Sequence, residues 1–230
     1  MEGNLLQQLV EYYSMNFGYL WELFIKHLLM SIYGVLFAAI VGIPLGILIA
    51  RYSKLSWIII TIANIIQTVP VIAMLAILML VMGLGPTTVV VTVFLYALLP
   101  IIKNTFTGIV GVDENIKDAG KGMGMTRNQV LRMIELPLSL SVILGGLRIA
   151  LVVAIGVVAV GSFIGAPTLG DIVIRGTNAT DGTTFILAGA IPIALIAILI
   201  DVGLRFLEKR LDPTTKSQKK QKHKPQGINQ

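Results

Sequence analysis

The chain of 230 residues contains no cysteine, which excludes disulfides and thiolate metal sites. It is also poor in charge: Asp, Glu, Lys and Arg make up 13% of it, against about 25% in a typical soluble domain. Only two histidines occur, His27 and His223, so a helical His-Glu-x-x-His zinc motif cannot be built and no metal site is expected. A phosphate-cradling Gly-x-x-x-x-Gly-Lys-Ser/Thr loop is missing as well. Gly120-Lys121 continues into Gly122, and Asn115 stands where the first glycine would be needed. Nor is there a buried acid pair suited to intramembrane aspartyl proteolysis; Asp201 near the end of the last apolar run stands alone. No catalytic residue and no cofactor of the chain's own are therefore expected.

What is present is apolar: 55% of residues are hydrophobic, and they fall in long charge-free runs. Five helices of about 20 residues, the length that crosses about 30 Å of hydrocarbon, are predicted over Leu28–Ala50, Ser56–Leu80, Thr87–Ile102, Val142–Gly165 and Thr184–Leu204. The expected fold is thus all-α and polytopic, embedded in the lipid bilayer, with no room for a second folded domain. Lys and Arg set the expected orientation, because basic residues are retained on the cytoplasmic side. Arg51, Lys54, Lys103, Lys117, Lys121, Arg127 and Arg132, with the cluster from Arg205 to Lys224, occupy one set of connections. The other set keeps only Lys26 and Arg175, beside Glu2, Glu11, Glu22, Asp171 and Asp181. This distribution predicts the N-terminus outside and the C-terminus in the cytoplasm. The net charge of +6 is read as a topological signal and a basic cytoplasmic tail over residues 212–230, not as a nucleic-acid surface.

Over residues 1–25, Leu5, Leu6, Leu9, Tyr12 and Tyr13 recur at helical spacing with polar residues between them. This pattern fits a helix in the outer interface, with Tyr19 and Trp21 at headgroup depth. Ala38, Gly42, Gly46 and Ala50 in the first span, and Gly146, Ala150 and Ala154 in the fourth, form small-residue stripes. Such stripes let another helix approach, within the chain or in a second copy. Pro44, Pro70, Pro100 and Pro192 interrupt the spans. Next to Pro70, the residues Asn64, Gln67 and Thr68 share one helix face, a candidate lining for a translocation path or a set of interhelical hydrogen bonds. Arg148 is the basic residue inside a span; pairing with a loop acid such as Glu135, snorkelling or gating are its readings. Residues Gly165 to Asp171, with Gly165, Gly170 and Asp171 as the positions of interest, suggest a re-entrant turn near an outer gate.

The connection over residues 103–141 is polar and long. Asp113 is placed to cap a first helix whose apolar edge would be Val112, Ile116, Ala119 or Gly120, and Met123. Gly124 suits the left-handed position that ends it. Thr126 with Gln129 forms a capping box for a second helix, Met125 and Val130 a hydrophobic staple, and Pro137 is expected to stop that helix near Glu135. A helix–glycine–helix knob follows from these local rules.

Asp118-Ala119-Gly120, Gly124 and Ile134-Glu135-Leu136-Pro137 together resemble the loop signature of bacterial ABC-importer permeases, with the family's Glu-Ala-Ala replaced by Asp-Ala-Gly. The similarity extends over about residues 21–211. Gly146-Leu147-Arg148-Ile149-Ala150, Leu169-Gly170-Asp171 and Ala188-Gly189-Ala190-Ile191-Pro192 are most similar to the osmoprotectant type, which imports glycine betaine, carnitine or choline. The resemblance implies a coupling loop that docks a separate ABC ATPase, which would bind the ATP. It further implies a second permease chain, identical or paralogous, and an extracellular solute-binding lipoprotein. Quaternary ammonium groups are commonly held by aromatic cages, and none is clustered in this sequence, which suits selection by a separate binding protein. An importer of methionine or another small solute is the alternative within the class. A carrier or channel working without ATP is the alternative outside it; the absence of an obvious repeat and of buried acids argues against it.

Overall fold

The structure is a computed structural model that describes residues 4–180 and 182–211; the tail over residues 212–230 lies outside the described residues. Helices α1 (Leu5–Arg51), α2 (Ser53–Thr68), α3 (Val71–Met82), α4 (Pro86–Val110), α5 (Glu114–Gly122), α6 (Arg127–Val130), α7 (Leu136–Val160), α8 (Gly170–Thr177) and α9 (Thr183–Leu211) follow in chain order, with no strand among the described residues. Helices α1, α4 and α9 and the helical rod Arg127–Ile164 containing α7 are each long and apolar enough to cross a membrane. The pair α2 and α3 makes a fifth crossing only if taken together across its bend.

Residues 5–25 are helical as expected, but they continue into the first span instead of forming a separate element. Along the 47 residues of α1 the backbone leaves helical values only at Asn16, whose φ is −114° and ψ 17°. The Asn16 side-chain amide donates to the Tyr12 carbonyl at 3.0 Å across that kink. Leu9, Tyr12, Leu20 and Leu23 are buried in a cluster with Leu169, Ile172, Ala188 and Ile196, so this segment's inner face packs on α8 and α9. Its other face, with Val10, Phe17 and Trp21, is exposed.

Helix α4 is the centre of the bundle and packs most extensively on α1 and α7. Val89, Val93 and Ile101 are fully buried there. The small-residue stripes make this contact. A Cβ on Gly46 would lie 2.5 Å from Thr105 Cβ, and one on Gly146 would lie 2.6 Å from Asn104 Cβ and 2.9 Å from the Pro100 carbonyl oxygen. The stripes therefore serve packing within the chain, where close backbone approach substitutes for the hydrophobic drive that lipid removes.

Of the four interrupting prolines only Pro70 breaks its span. Val69 is extended at φ −66° and ψ 129°, as a residue before proline prefers, and α2 and α3 meet at 95°. The predicted single helix Ser56–Leu80 is thus two short helices. Pro44, Pro100 and Pro192 remain inside α1, α4 and α9. At one end of the bundle the Gly85 amide donates to the Ile164 carbonyl at 3.0 Å, joining the α3–α4 turn to the 3-10 turn that follows α7. The α1–α2 turn and α5 and α6 lie at the other end. Because α4 runs to Val110 and α7 begins at Leu136, the predicted 103–141 loop narrows to Gly111–Glu135, and Lys103 belongs to α4.

Candidate functional site

The loop is built by local chemistry. Asp113 Oδ1 accepts from the Asn115 amide at 2.9 Å and caps α5. Gly124 takes φ +81°, the left-handed value that glycine adopts without Cβ strain, while its own amide and that of Met125 close on the carbonyls of Lys121 and Gly120. The Thr126 and Gln129 box is formed in both directions, at 2.7 and 3.4 Å. Val130 is buried beneath it. Lys121 Nζ donates to Asp118 Oδ1 at 2.8 Å, and this exposed contact raises the lysine pKa.

The apolar edge expected on α5 is divided between its two sides. Val112, Lys117 and Gly120 turn inward, whereas Ile116, Asp118, Ala119 and Met123 are exposed, Met123 at 77%. Gly120 lies against Ile134: an added Cβ would meet Ile134 Cδ1 at 2.6 Å, so the glycine in Asp-Ala-Gly brings α5 close to the second helix. The expected stop at Pro137 is absent. Residues Leu131–Glu135 form a π turn in which the Leu136 amide bonds the Leu131 carbonyl, and Pro137 sits in the first turn of α7, where a missing N–H is tolerated. Ile134, Leu136 and Pro137 thereby belong to one rod, Arg127–Ile164, of 38 residues.

The polar face near Pro70 divides. Asn64, Thr68 and Pro70 are exposed, while Gln67 is half-buried and its side-chain amide donates to the Tyr96 carbonyl at 3.4 Å. That carbonyl stands four residues before Pro100, whose ring supplies no N–H to it. In return the Tyr96 hydroxyl donates to the Val69 carbonyl at the broken corner. A parallel arrangement occurs at Pro192: its i−4 carbonyl, that of Ala188, accepts from the Tyr13 hydroxyl at 3.2 Å. From sequence, Tyr13 falls only in the interfacial helix pattern and Tyr96 is not singled out, although the carbonyl four residues before each in-helix proline is the signal that points to such partners.

Arg148 pairs with α9 and not with Glu135. Its Nη1 lies 3.3 Å from Asp201 Oδ1 and its Nε 3.5 Å from Glu208 Oε2, all three side chains being partly buried, and Arg205 also reaches Asp201 at 2.9 Å. At the opposite end, Gly165 adopts φ +75° and an added Cβ on Gly170 would come within 1.9 Å of the Ala159 carbonyl oxygen. Asp171 accepts from Tyr19 at 2.8 Å and pairs with Arg175 at 2.7 Å, and this pairing raises the arginine pKa. The residues Gly165 to Asp171 lead into the short helix α8, whose Ile172 is fully buried.

Residues 42–213 match the model of the family described as the binding-protein-dependent transport system inner membrane component. The chain belongs to that family. A glycine betaine/carnitine/choline transport system permease protein of Bacillus subtilis is 61% identical to this inner membrane component over 92% of each chain. A carnitine transport permease protein of Listeria monocytogenes is 60% identical over 93% of this chain and 96% of its own. A choline transport system permease protein of Bacillus subtilis is 56% identical over 96% and 97%. Among solved structures, the MetNI methionine ABC transporter in an inward-facing conformation superposes with a TM-score of 0.76 over 84% of this chain and 95% of that one, at 21% identity. The last likeness concerns the fold: an ABC importer transmembrane domain.

Proposed function

We propose that this transport component forms, with a second permease chain, the pathway of an ATP-driven importer of glycine betaine, carnitine, choline or a similar quaternary ammonium solute. An ABC ATPase would bind the ATP and dock on the outer side of α5, at Ile116, Ala119 and Met123. An extracellular binding lipoprotein would deliver the solute. The observation that carries this reading is the mechanical continuity of the loop with a span: α5 is closed on Gly124 and packed on Ile134, and Ile134 lies in the same rod as α7. ATPase closure would then tilt a membrane-crossing element and not merely move a loop.

The loop end would face the cytoplasm, with the N-terminus outside. Since the chain has no cysteine, single cysteines at Met123 and Ala179 report sides directly. In intact cells an impermeant maleimide should label Ala179→Cys and spare Met123→Cys; the reverse pattern overturns the orientation. Proteoliposomes holding the permease pair with its co-purified ATPase, with the binding lipoprotein supplied outside, should accumulate labelled betaine, carnitine or choline when ATP is inside. Accumulation of methionine instead would overturn the solute class, and uptake without ATP would overturn the coupling.

A further inference from the structure

Where the end of α1 and the start of α2 face the α5–α6 loop lies a pocket of about 530 Å³, within the usual range of small-ligand sites. Its span-side wall is apolar, with Ile47 and Ile109 at the ends of α1 and α4. Its other walls carry four cations, Arg51, Lys117, Lys121 and Arg127, against two carboxylates, Glu114 and Glu135.

Glu114 is already engaged, by Lys117 at 3.2 Å and Lys121 at 3.4 Å, and Lys121 also holds Asp118. Lys117 is a buried lysine, 8% exposed, and its ammonium is already paired with Glu114. The two arginines are differently placed. Among the described residues neither has a carboxylate within ion-pair distance; Arg51 instead donates to the neutral Asn128 side-chain oxygen at 2.5 Å, across from α1 to α6. The pocket wall therefore carries a net positive charge that attracts an anion. Two guanidiniums free of carboxylates offer the planar donor forks that suit phosphate oxygens.

We propose that this pocket binds a phosphate-bearing anion, held chiefly by Arg51 and Arg127, that braces the α1–α2 turn against the α5–α6 loop. The position at the ends of the spans, with apolar residues on one wall, suits a phospholipid headgroup. The same chemistry also accepts a free phosphate, and the two sources are separable.

The test uses the full chain in nanodiscs. Anionic phosphatidylglycerol retention is followed by native mass spectrometry, and thermal stabilisation by inorganic phosphate is followed in phosphatidylcholine discs. Retention of phosphatidylglycerol over phosphatidylcholine identifies a headgroup; stabilisation by phosphate in phosphatidylcholine identifies a free anion. In either case Arg51→Gln with Arg127→Gln should weaken binding by about tenfold or more. Arg51→Lys with Arg127→Lys, which keeps the charge and loses the forks, should give an intermediate loss. Lys54→Gln with Lys103→Gln, outside the pocket, is the control for general surface charge and should change nothing. Each variant is checked for folding by its unliganded melting temperature. No preference for either anion in the wild-type chain, or an equal loss in the Lys54 and Lys103 control, overturns the proposal.

Discussion

The Tyr96 hydroxyl donates to the Val69 carbonyl, so the corner where the second span breaks is held by the central helix of the bundle. The exchange is mutual, because the carbonyl of Tyr96 itself accepts from Gln67. Each bond meets a backbone oxygen left without a helical donor around a proline. Tyr96→Phe should remove one of them and lower stability by about 1–3 kcal/mol, the cost of an unsatisfied buried carbonyl. A melting temperature in detergent equal to that of the wild type would show that water or another donor takes over.

Tyr13 and Pro192 permit a test of opposite sign. Tyr13→Phe alone should destabilise the contact between α1 and α9 by about 0.5–1.5 kcal/mol. Pro192→Ala restores an N–H to bond Ala188 within the helix, so Tyr13→Phe should cost much less in that background. A double-mutant cycle in thermal unfolding that is additive would refute the carbonyl-supply account.

Arg148 joins α7 to two acids near the end of α9. Arg148→Gln should be more damaging than Arg148→Gln combined with Asp201→Asn and Glu208→Gln, since the single change strands partly buried carboxylates. The difference should be about 1–3 kcal/mol by the cycle. It is read from yield and melting temperature together with uptake; a triple variant that folds normally but fails in uptake assigns the Arg148, Asp201 and Glu208 cluster to transport and not to stability alone.

Gly124 has open space around a built Cβ, yet its φ of +81° is unfavourable to branched side chains. Gly124→Val should therefore insert into the membrane and assemble its spans, but cost about 1–3 kcal/mol locally and misplace α5. Gly124→Asn, which tolerates left-handed geometry, should retain most function. ATP-dependent uptake at the wild-type rate in Gly124→Val would sink the loop's role in coupling.

The features legible from sequence were those whose determinants sit within one helical turn. Asp113, Gly124 and the Thr126–Gln129 box act on backbone groups two to five residues away, and all three are found as expected. The hydrophobic runs likewise mark four of the five crossings, because spanning length is a property of a single segment. What escaped depends on partners far along the chain. Asp201 is 53 residues from Arg148, and Ala188 is 175 residues from Tyr13. The expected stop at Pro137 failed because the rule before proline assumes α geometry, and a wide turn placed the ring where no donor is required. The apolar edge of α5 divides, with Val112 and Gly120 inward and Ile116 and Met123 exposed, because the α5 interior is shared with Lys117 and a periodic pattern cannot tell a protein core from an outward face awaiting a partner.

The π turn at Leu131–Glu135 also sets an angular phase. One residue more than an α-helix would use, over this stretch, rotates everything before it by about 100° around the rod and displaces it by about 1.5 Å. The outward bearing of the knob relative to the membrane-crossing part of α7 is thus dialled by a single extra residue. A protein of this design could turn its loop end toward a differently shaped partner by gaining or losing that residue, while the packing of the membrane-crossing helices stayed unchanged.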